Sequence, residues 1–398
     1  MASERPTSSL VIVGNGPGEV AGWAMPIAAE ARRRENLPRS RVEIVLCLPP
    51  CQFASGQERI MATAAGVFDC ILEPRDVVRL VLGVGRWRPS VPPLVLHVGG
   101  DFWYTRRLAR RWGAPAFAFV ERAHVARVHQ AFRAIFVPTQ ALRDRLVGYH
   151  VPPGKIVVTG DPRYDAVLQD AAVDPPPSGN GAHPTVTFLP GSRDAVFAAV
   201  FPFWVETAAA LRQQLPQARL QTVISQFVSP AVQEALVGRH RATLEDAGVE
   251  VKHGGWPKVV GSDLVLTIPG TNTLELALLR IPSLVVLPFS LAPQIPAEGL
   301  VEWITRIPYI GPALRLRIAR AHVQRVPYVA LPNMRAGRRI MPELIGTVTP
   351  QQVAAESARL IRDAGARAAL ASALEVIPRE TGASGRILDG MRTAVAPA

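Results

Sequence analysis

Two series of short aliphatic strands alternating with helical stretches run along the chain, parted by residues 169–184, QDAAVDPPPSGNGAHP, which hold three consecutive prolines and no apolar period. In the first series residues 10–13, 42–48, 94–98, 116–120, 134–137 and 156–159 read as strands, and 20–34, 106–112 and 142–146 as helices. In the second, 185–189, 220–224, 249–252, 264–267 and 284–287 read as strands, and 204–214 and 231–247 as helices. Alternation of this kind builds a parallel sheet covered on both faces. A chain of 398 residues also exceeds what one hydrophobic core usually holds. The expected fold class is α/β, with a doubly wound Rossmann-like domain over 1–168, a linker over 169–184, a second such domain over 185–360, and helices over 361–398 that pack back on the first. Ligands of such folds sit at the carboxyl ends of the strands, so the loops there carry the chemistry.

Three of those loops are dense in polar groups. In SDLVLTIPGTNTLELALLRIPSLVVLP, residues 262–288, a strand runs into Pro269, Gly270, Thr271, Asn272 and Thr273 and then into an apolar helix. Gly270 admits an anion close to the backbone, the first helical N–H groups point at it, and the threonine hydroxyls add donors. Glu275, one turn on, could accept from ribose hydroxyls. Taken alone the segment is equally an ordinary capped helix with an acidic first turn. In the second loop, Gly191, Ser192 and Arg193 follow the strand at 185–189, and Arg193 has the fork geometry to clamp a diphosphate. Its plain alternative is a surface arginine after a tight turn. The third, LPNMRAGRRIMPELI from Leu331 to Ile345, offers Asn333 and Arg338 as ligand contacts and Glu343 as a brace for its own loop.

Formal net charge is +12, a balance that favours phosphate-bearing partners, but it is carried by arginine, since Lys155, Lys252 and Lys258 are the only lysines. No Cys/His finger or aromatic RNA-binding strand accompanies the charge, so nucleic acid is not an expected partner. Cys47, Cys51 and Cys70 are odd in number and sit beside apolar segments, which fits reduced thiols in the cytoplasm and no metal site. The N-terminal MASERPTSS lacks a signal layout, and the longest uncharged run is broken by Pro282, Pro288, Pro293 and Pro296, so no spanning helix is expected. Leu300, Trp303, Ile304 and Ile307 have amphipathic spacing, with Arg306, Arg315, Arg317, Arg320 and Arg325 close by. They fit an interfacial segment on an anionic membrane, or equally a core-facing helix with a basic edge.

Taken in order, LPGSR, PGTNTLE and LPN…AGR…PEL resemble the lipid-A-disaccharide synthase family, as does the first loop, where Gly14, Gly18, Glu19 and Gly22 match a glycine, a glycine, an acidic residue and a glycine. The resemblance implies a GT-B fold, two Rossmann-like domains facing a cleft. It also implies a metal-independent inverting hexosyltransferase with no cofactor, acting at the inner face of the cell membrane. Its donor is a UDP-sugar held by Gly191, Ser192, Arg193, Gly270, Thr271, Asn272, Thr273, Glu275, Asn333 and Arg338, with Trp256 placed to stack on the base. A lipid or glycolipid acceptor completes the reaction, peripheral contact with anionic membrane follows, and a homodimer is compatible with the sequence.

Asn15, Val98 and Val196 stand where that family has acidic residues, Val98 at its catalytic base, and Asp161 stands where it has a histidine. Replacement bases belong on strand-end loops of the first domain. Asp101, after two glycines, ranks first and Glu19 second; Glu121 and His97 also qualify, and Asp165 braces the hinge. Two other readings remain open: a UDP-sugar 2-epimerase of the same frame, and a non-catalytic nucleotide-sugar-binding protein. A nicotinamide oxidoreductase is disfavoured, because residues 14–18 lack the GxGxxG spacing and Glu43 comes too early in its strand.

Overall fold

The computed structural model describes residues 6–35, 42–51, 56–171, 183–291 and 327–396. Most of the linker segment and the amphipathic segment from Leu300 to Arg325 lie outside the described residues. The chain divides into two compact units, Met1–Ala166 with Glu380–Ala398, and Val167–Arg379.

The first unit holds seven parallel strands, β1 Ser8–Val13, β2 Val42–Cys47, β3 Cys70–Leu72, β4 Pro93–His97, β5 Ala116–Phe119, β6 Ala134–Val137 and β7 Ile156–Val158, in the order β3-β2-β1-β4-β5-β6-β7. Register is fixed at the centre by Val11, which pairs with Val45 on one side and Val95 on the other. Alternate side chains enter two cores. Ile12, Ile44, Leu46, Leu96, Phe117 and Phe136 fill one, and Val11, Val13, Val45, Val95, Ile135 and Val137 the other. With both faces buried, the strands read as continuous apolar runs.

The chain leaves β1 outward to β2 and β3, then returns to place β4 on the other flank of β1. That reversal opens a crevice between the loops after β1 and β4. The helical segment after β1 begins with a π-turn, Val20–Ala24, before becoming α-helical over Met25–Glu35, and such turns recur at functional sites. The C-terminal helix Ala383–Val395 belongs to this unit, where the Asp165 carboxylate accepts the N–H groups of Gly382 at 2.6 Å and Ser384 at 2.9 Å. Phe136 occupies the space beside Gly390 that a Cβ would need.

Six parallel strands form the second unit, β8 Thr185–Leu189, β9 Arg219–Ile224, β10 Val249–His253, β11 Leu264–Thr267, β12 Ser283–Pro288 and β13 Glu343–Gly346, in the order β10-β9-β8-β11-β12-β13. The reversal recurs between β8 and β11. Among the described residues one helix, Asp194–Gln214, is long and apolar enough to cross a membrane, but Phe197, Val200, Phe201, Trp204 and Leu211 are buried in this unit's cores. The helix expected over 231–247 is broken at His240 into Pro230–Arg239 and Arg241–Asp246.

Candidate functional site

In the second unit the loops after β8 and β11 flank the reversal. Gly191 has φ +103, a conformation L side chains rarely adopt, and a Cβ there would lie 2.8 Å from Val196 Cγ1. The turn thereby exposes Ser192 and Arg193 at the start of the helix Asp194–Gln214. Across from it the helix Thr271–Leu278 begins at Gly270, whose φ of 164° is extended backbone. What glycine supplies here is room, since a Cβ would stand 3.0 Å from Asn272 Oδ1.

Among the described residues no acceptor faces the backbone N–H groups of Thr271 and Asn272, while the Thr273 N–H donates to the Gly270 carbonyl at 3.2 Å. Thr271 is exposed and Glu275 half-buried one turn on. Asn272 and Thr273 turn their side chains to the protein. Asn272 Nδ2 donates to Thr267 Oγ1, and Thr273 Oγ1 donates to the Gly270 carbonyl at 2.7 Å while accepting the Leu331 N–H at 3.2 Å. The Thr273 hydroxyl is therefore a tie within the corner instead of a phosphate donor.

Asn333 also has a different task from ligand contact. Fully buried, it accepts at Oδ1 from Ile340 N at 2.7 Å and Met341 N at 2.8 Å, and donates from Nδ2 to the Met341 carbonyl at 2.7 Å and Glu343 Oε1 at 2.8 Å. All four hydrogen-bonding positions of its amide are filled. Glu343 Oε1 further accepts the N–H groups of Val329 and Ala330, so it does brace this loop, through Asn333 and not through Arg338. Arg338 itself is exposed on the surface.

Trp256 opens a short 3-10 turn after β10, three strand positions from β11, or about 14 Å at the usual spacing. Its N–H donates to Asp170 Oδ2 at 3.1 Å, and Gln221 Nε2 bolts the same loop at the Lys258 carbonyl, 2.9 Å away. Asp170 and Gln221 escaped the sequence reading. The only signal at Asp170 was an acidic residue bordering the proline-rich segment.

In the first unit the crevice is lined by the loops after β1 and β4. Glu19 Oε2 accepts the N–H groups of Asn15 at 3.2 Å and Gly16 at 2.9 Å. The carboxylate lies against Gly99, where a Cβ would be 2.1 Å from Glu19 Cδ. Gly100, at φ +82, faces the Asn15 side chain, whose Nδ2 would be 2.9 Å from a Cβ. Val98 is buried, with its Cγ2 2.7 Å from the Cβ position of Gly14. Asp101 is exposed and caps the helix Phe102–Trp112, accepting the Trp103 N–H at 2.8 Å.

His97 is buried beside the Phe102 ring, 4.3 Å between centroids, and shares a 2.8 Å hydrogen bond between its Nδ1 and Thr105 Oγ1. Burial pushes its pKa down to about 3, so it is a neutral core residue at physiological pH. Glu121, after β5, meets Arg163 Nη1 at 3.3 Å. The Arg163 guanidinium is 2% exposed, lies 5.0 Å over the Trp23 ring and packs against Gly22. Asp161, also buried, accepts from Trp23 Nε1 and the Arg163 N–H, both at 3.0 Å. Trp23 and Arg163 went unnoticed as partners because they are 140 positions apart in sequence. Among the described residues no group of three His, Cys, Asp or Glu side chains is arranged to hold a metal ion.

Two parallel sheets, each doubly wound about its own reversal, define a GT-B-like α/β protein. UDP-GlcNAc 2-epimerase from Neisseria meningitidis has this fold at 13% identity and a TM-score of 0.56, over 97% of this chain and 100% of that one. The enzyme of the same name from Methanocaldococcus jannaschii aligns at 12% identity and a TM-score of 0.53, over 97% and 99%. Residues 180–373 match the family described as Lipid-A-disaccharide synthetase. Lipid-A-disaccharide synthase of Chromobacterium violaceum is 30% identical over 187 residues, 46% of this chain and 42% of that one. Its counterpart in Anaeromyxobacter dehalogenans is 32% identical over 203 residues, 50% and 46%. Over residues 180–373 the chain is therefore similar to the lipid-A-disaccharide synthase family, and the match spans about half the length of those relatives.

Proposed function

We infer that the protein is a hexosyltransferase that moves a sugar from a UDP-sugar to a lipid-linked acceptor at the inner face of the cell membrane. The observation that carries this reading is the corner after β11, where among the described residues no acceptor meets the Thr271 and Asn272 N–H groups at a helix N-terminus. Directed amides of this kind take an anion, and the diphosphate of a nucleotide sugar supplies one. Exposed Arg193, across the same reversal, adds a bidentate donor. The Neisseria structure of the same fold is bound to UDP-GlcNAc.

Membrane contact is supported by one described surface. The helices Pro74–Val81 and Phe102–Trp112 pack together. On and beside them Leu82, Val84 and Trp103 are exposed among exposed Arg79, Arg86, Arg107 and Arg110, with Arg107 5.6 Å from the Trp103 ring centroid. An arginine near an anionic surface contributes about 1 kcal/mol.

The test is thermal stabilisation by UDP, UDP-GlcNAc and the GDP, dTDP and CMP analogues. Selective stabilisation that grows with UDP concentration is expected, rising by about 1.4 kcal/mol per tenfold excess over Kd. A flat response to every uridine ligand would remove the donor site. Product analysis separates transfer, which releases UDP, from epimerisation, which retains it.

A further inference from the structure

Four titratable side chains stand at the carboxyl ends of β1, β4 and β5: Glu19, His97, Asp101 and Glu121. Two are committed elsewhere and a third is loosely held. His97 is buried, neutral and bonded to Thr105. Asp101 is exposed and held by a single N–H, that of Trp103, so it is less firmly fixed than a carboxylate gripped by two. Glu121 pairs with the buried Arg163 guanidinium, which also faces Asp161 Oδ2 at 3.6 Å, and a proton taken there would remove one of that cation's counter-charges.

Glu19 is arranged differently. One oxygen, Oε2, is fixed by the N–H groups of Asn15 and Gly16, and among the described residues no donor reaches Oε1. The carboxylate is thus held still while keeping an unengaged acceptor. It lies over Gly99, where any side chain would collide with it, and the next residue is again glycine. Glu19 itself is half-buried, on the loop that lines the crevice at the strand reversal.

The geometry points to Glu19 as the general base of the transfer, an assignment that rests on the transferase reading. The acceptor O–H bond breaks and its proton goes to Glu19 Oε1. The freed oxygen pair forms the bond to the anomeric carbon of the donor. The bond from that carbon to the diphosphate oxygen breaks, and its electron pair leaves with UDP.

Glu19→Gln tests this, because a side-chain amide oxygen still accepts the two N–H groups and keeps the loop in place. UDP release is followed with the UDP-sugar that stabilises the parent most, first with water as acceptor and then with a detergent-dispersed total lipid extract. Glu19→Gln is expected to lower turnover by about 10²–10⁴-fold and to abolish the acidic limb of the pH–rate profile, with the UDP-induced thermal shift unchanged. Gly99→Ala, which displaces the carboxylate, should lower turnover in the same direction with UDP binding intact. Turnover of Glu19→Gln within about threefold of the parent, on the scale of the cited base contribution, would overturn the assignment. So would a parent that binds UDP-sugar yet releases UDP to neither acceptor. A parent that binds no uridine ligand fails at the transferase reading instead.

Discussion

The Leu331 N–H donates to Thr273 Oγ1 at 3.2 Å, a bond that joins the third polar segment to the corner after β11. Because the same hydroxyl donates to the Gly270 carbonyl, it sets the backbone from which the helix Thr271–Leu278 starts. Thr273→Val keeps the shape but strands the part-buried Leu331 N–H and leaves the Gly270 carbonyl only the Thr273 N–H, at about 1–3 kcal/mol for the group left unpaired. The variant should be less stable in urea and show a smaller UDP-induced thermal shift, whereas Thr273→Ser recovers both. A valine variant with parental stability and UDP binding would show that the tie is dispensable.

Asn333 and Arg338 separate a bolt from a surface residue. Asn333→Leu removes four hydrogen bonds from a site with no exposure and should cost more than about 3 kcal/mol, read as a lower urea midpoint. Arg338→Ala, at an exposed site, should stay within about 0.5 kcal/mol of the parent. A stable Asn333→Leu that has lost UDP binding would return Asn333 to the role of ligand contact.

The contrast at Asn333 marks what the sequence can and cannot convey. Strands were legible because burial on both faces leaves uninterrupted aliphatic runs, as at Ser8–Val13 and Leu264–Thr267. Cys70–Leu72 was missed because three residues are too short for any period. The first half of Asp194–Gln214 was missed because it is apolar all round and contains Pro202, which hides the helical period. At the site, the loops were found from glycine, proline and hydroxyl residues after strands. Whether a polar side chain there faces a ligand depends on what lies opposite. For Asn333 that is the backbone of Ile340 and Met341, and for Glu121 it is Arg163, 42 residues further along the chain.

His97 gives the first unit a pH dependence of definite sign. Its folded pKa, pushed down to about 3 by burial, lies below its ordinary value of 6.5, so between those limits the unfolded chain binds a proton that the folded one does not. This contribution is fully present above pH 6.5, falls as the pH drops toward about 3, and levels off below that. At full slope the loss is about 1.4 kcal/mol per pH unit. His97→Gln, which does not titrate, should flatten the acid side of a urea-midpoint profile between pH 6 and pH 4, a window of about the size this linkage predicts. Equal slopes for parent and variant would mean that another group sets the dependence.

Arg193 offers the sharpest test of the donor corner, because charge and geometry can be varied separately. Arg193→Ala removes both and should weaken UDP binding by about 10–100-fold, the scale of one charge-assisted contact. Arg193→Lys keeps a point charge but loses the planar fork, so it should recover only part of the affinity and depend more steeply on salt. The helix N-terminus remains in both variants, since the Thr271 and Asn272 N–H groups belong to the backbone. Residual binding of UDP over uridine should therefore persist, measured by titration calorimetry. If Arg193→Ala binds UDP as tightly as the parent, the guanidinium is a surface group, and the backbone corner must hold the diphosphate without it.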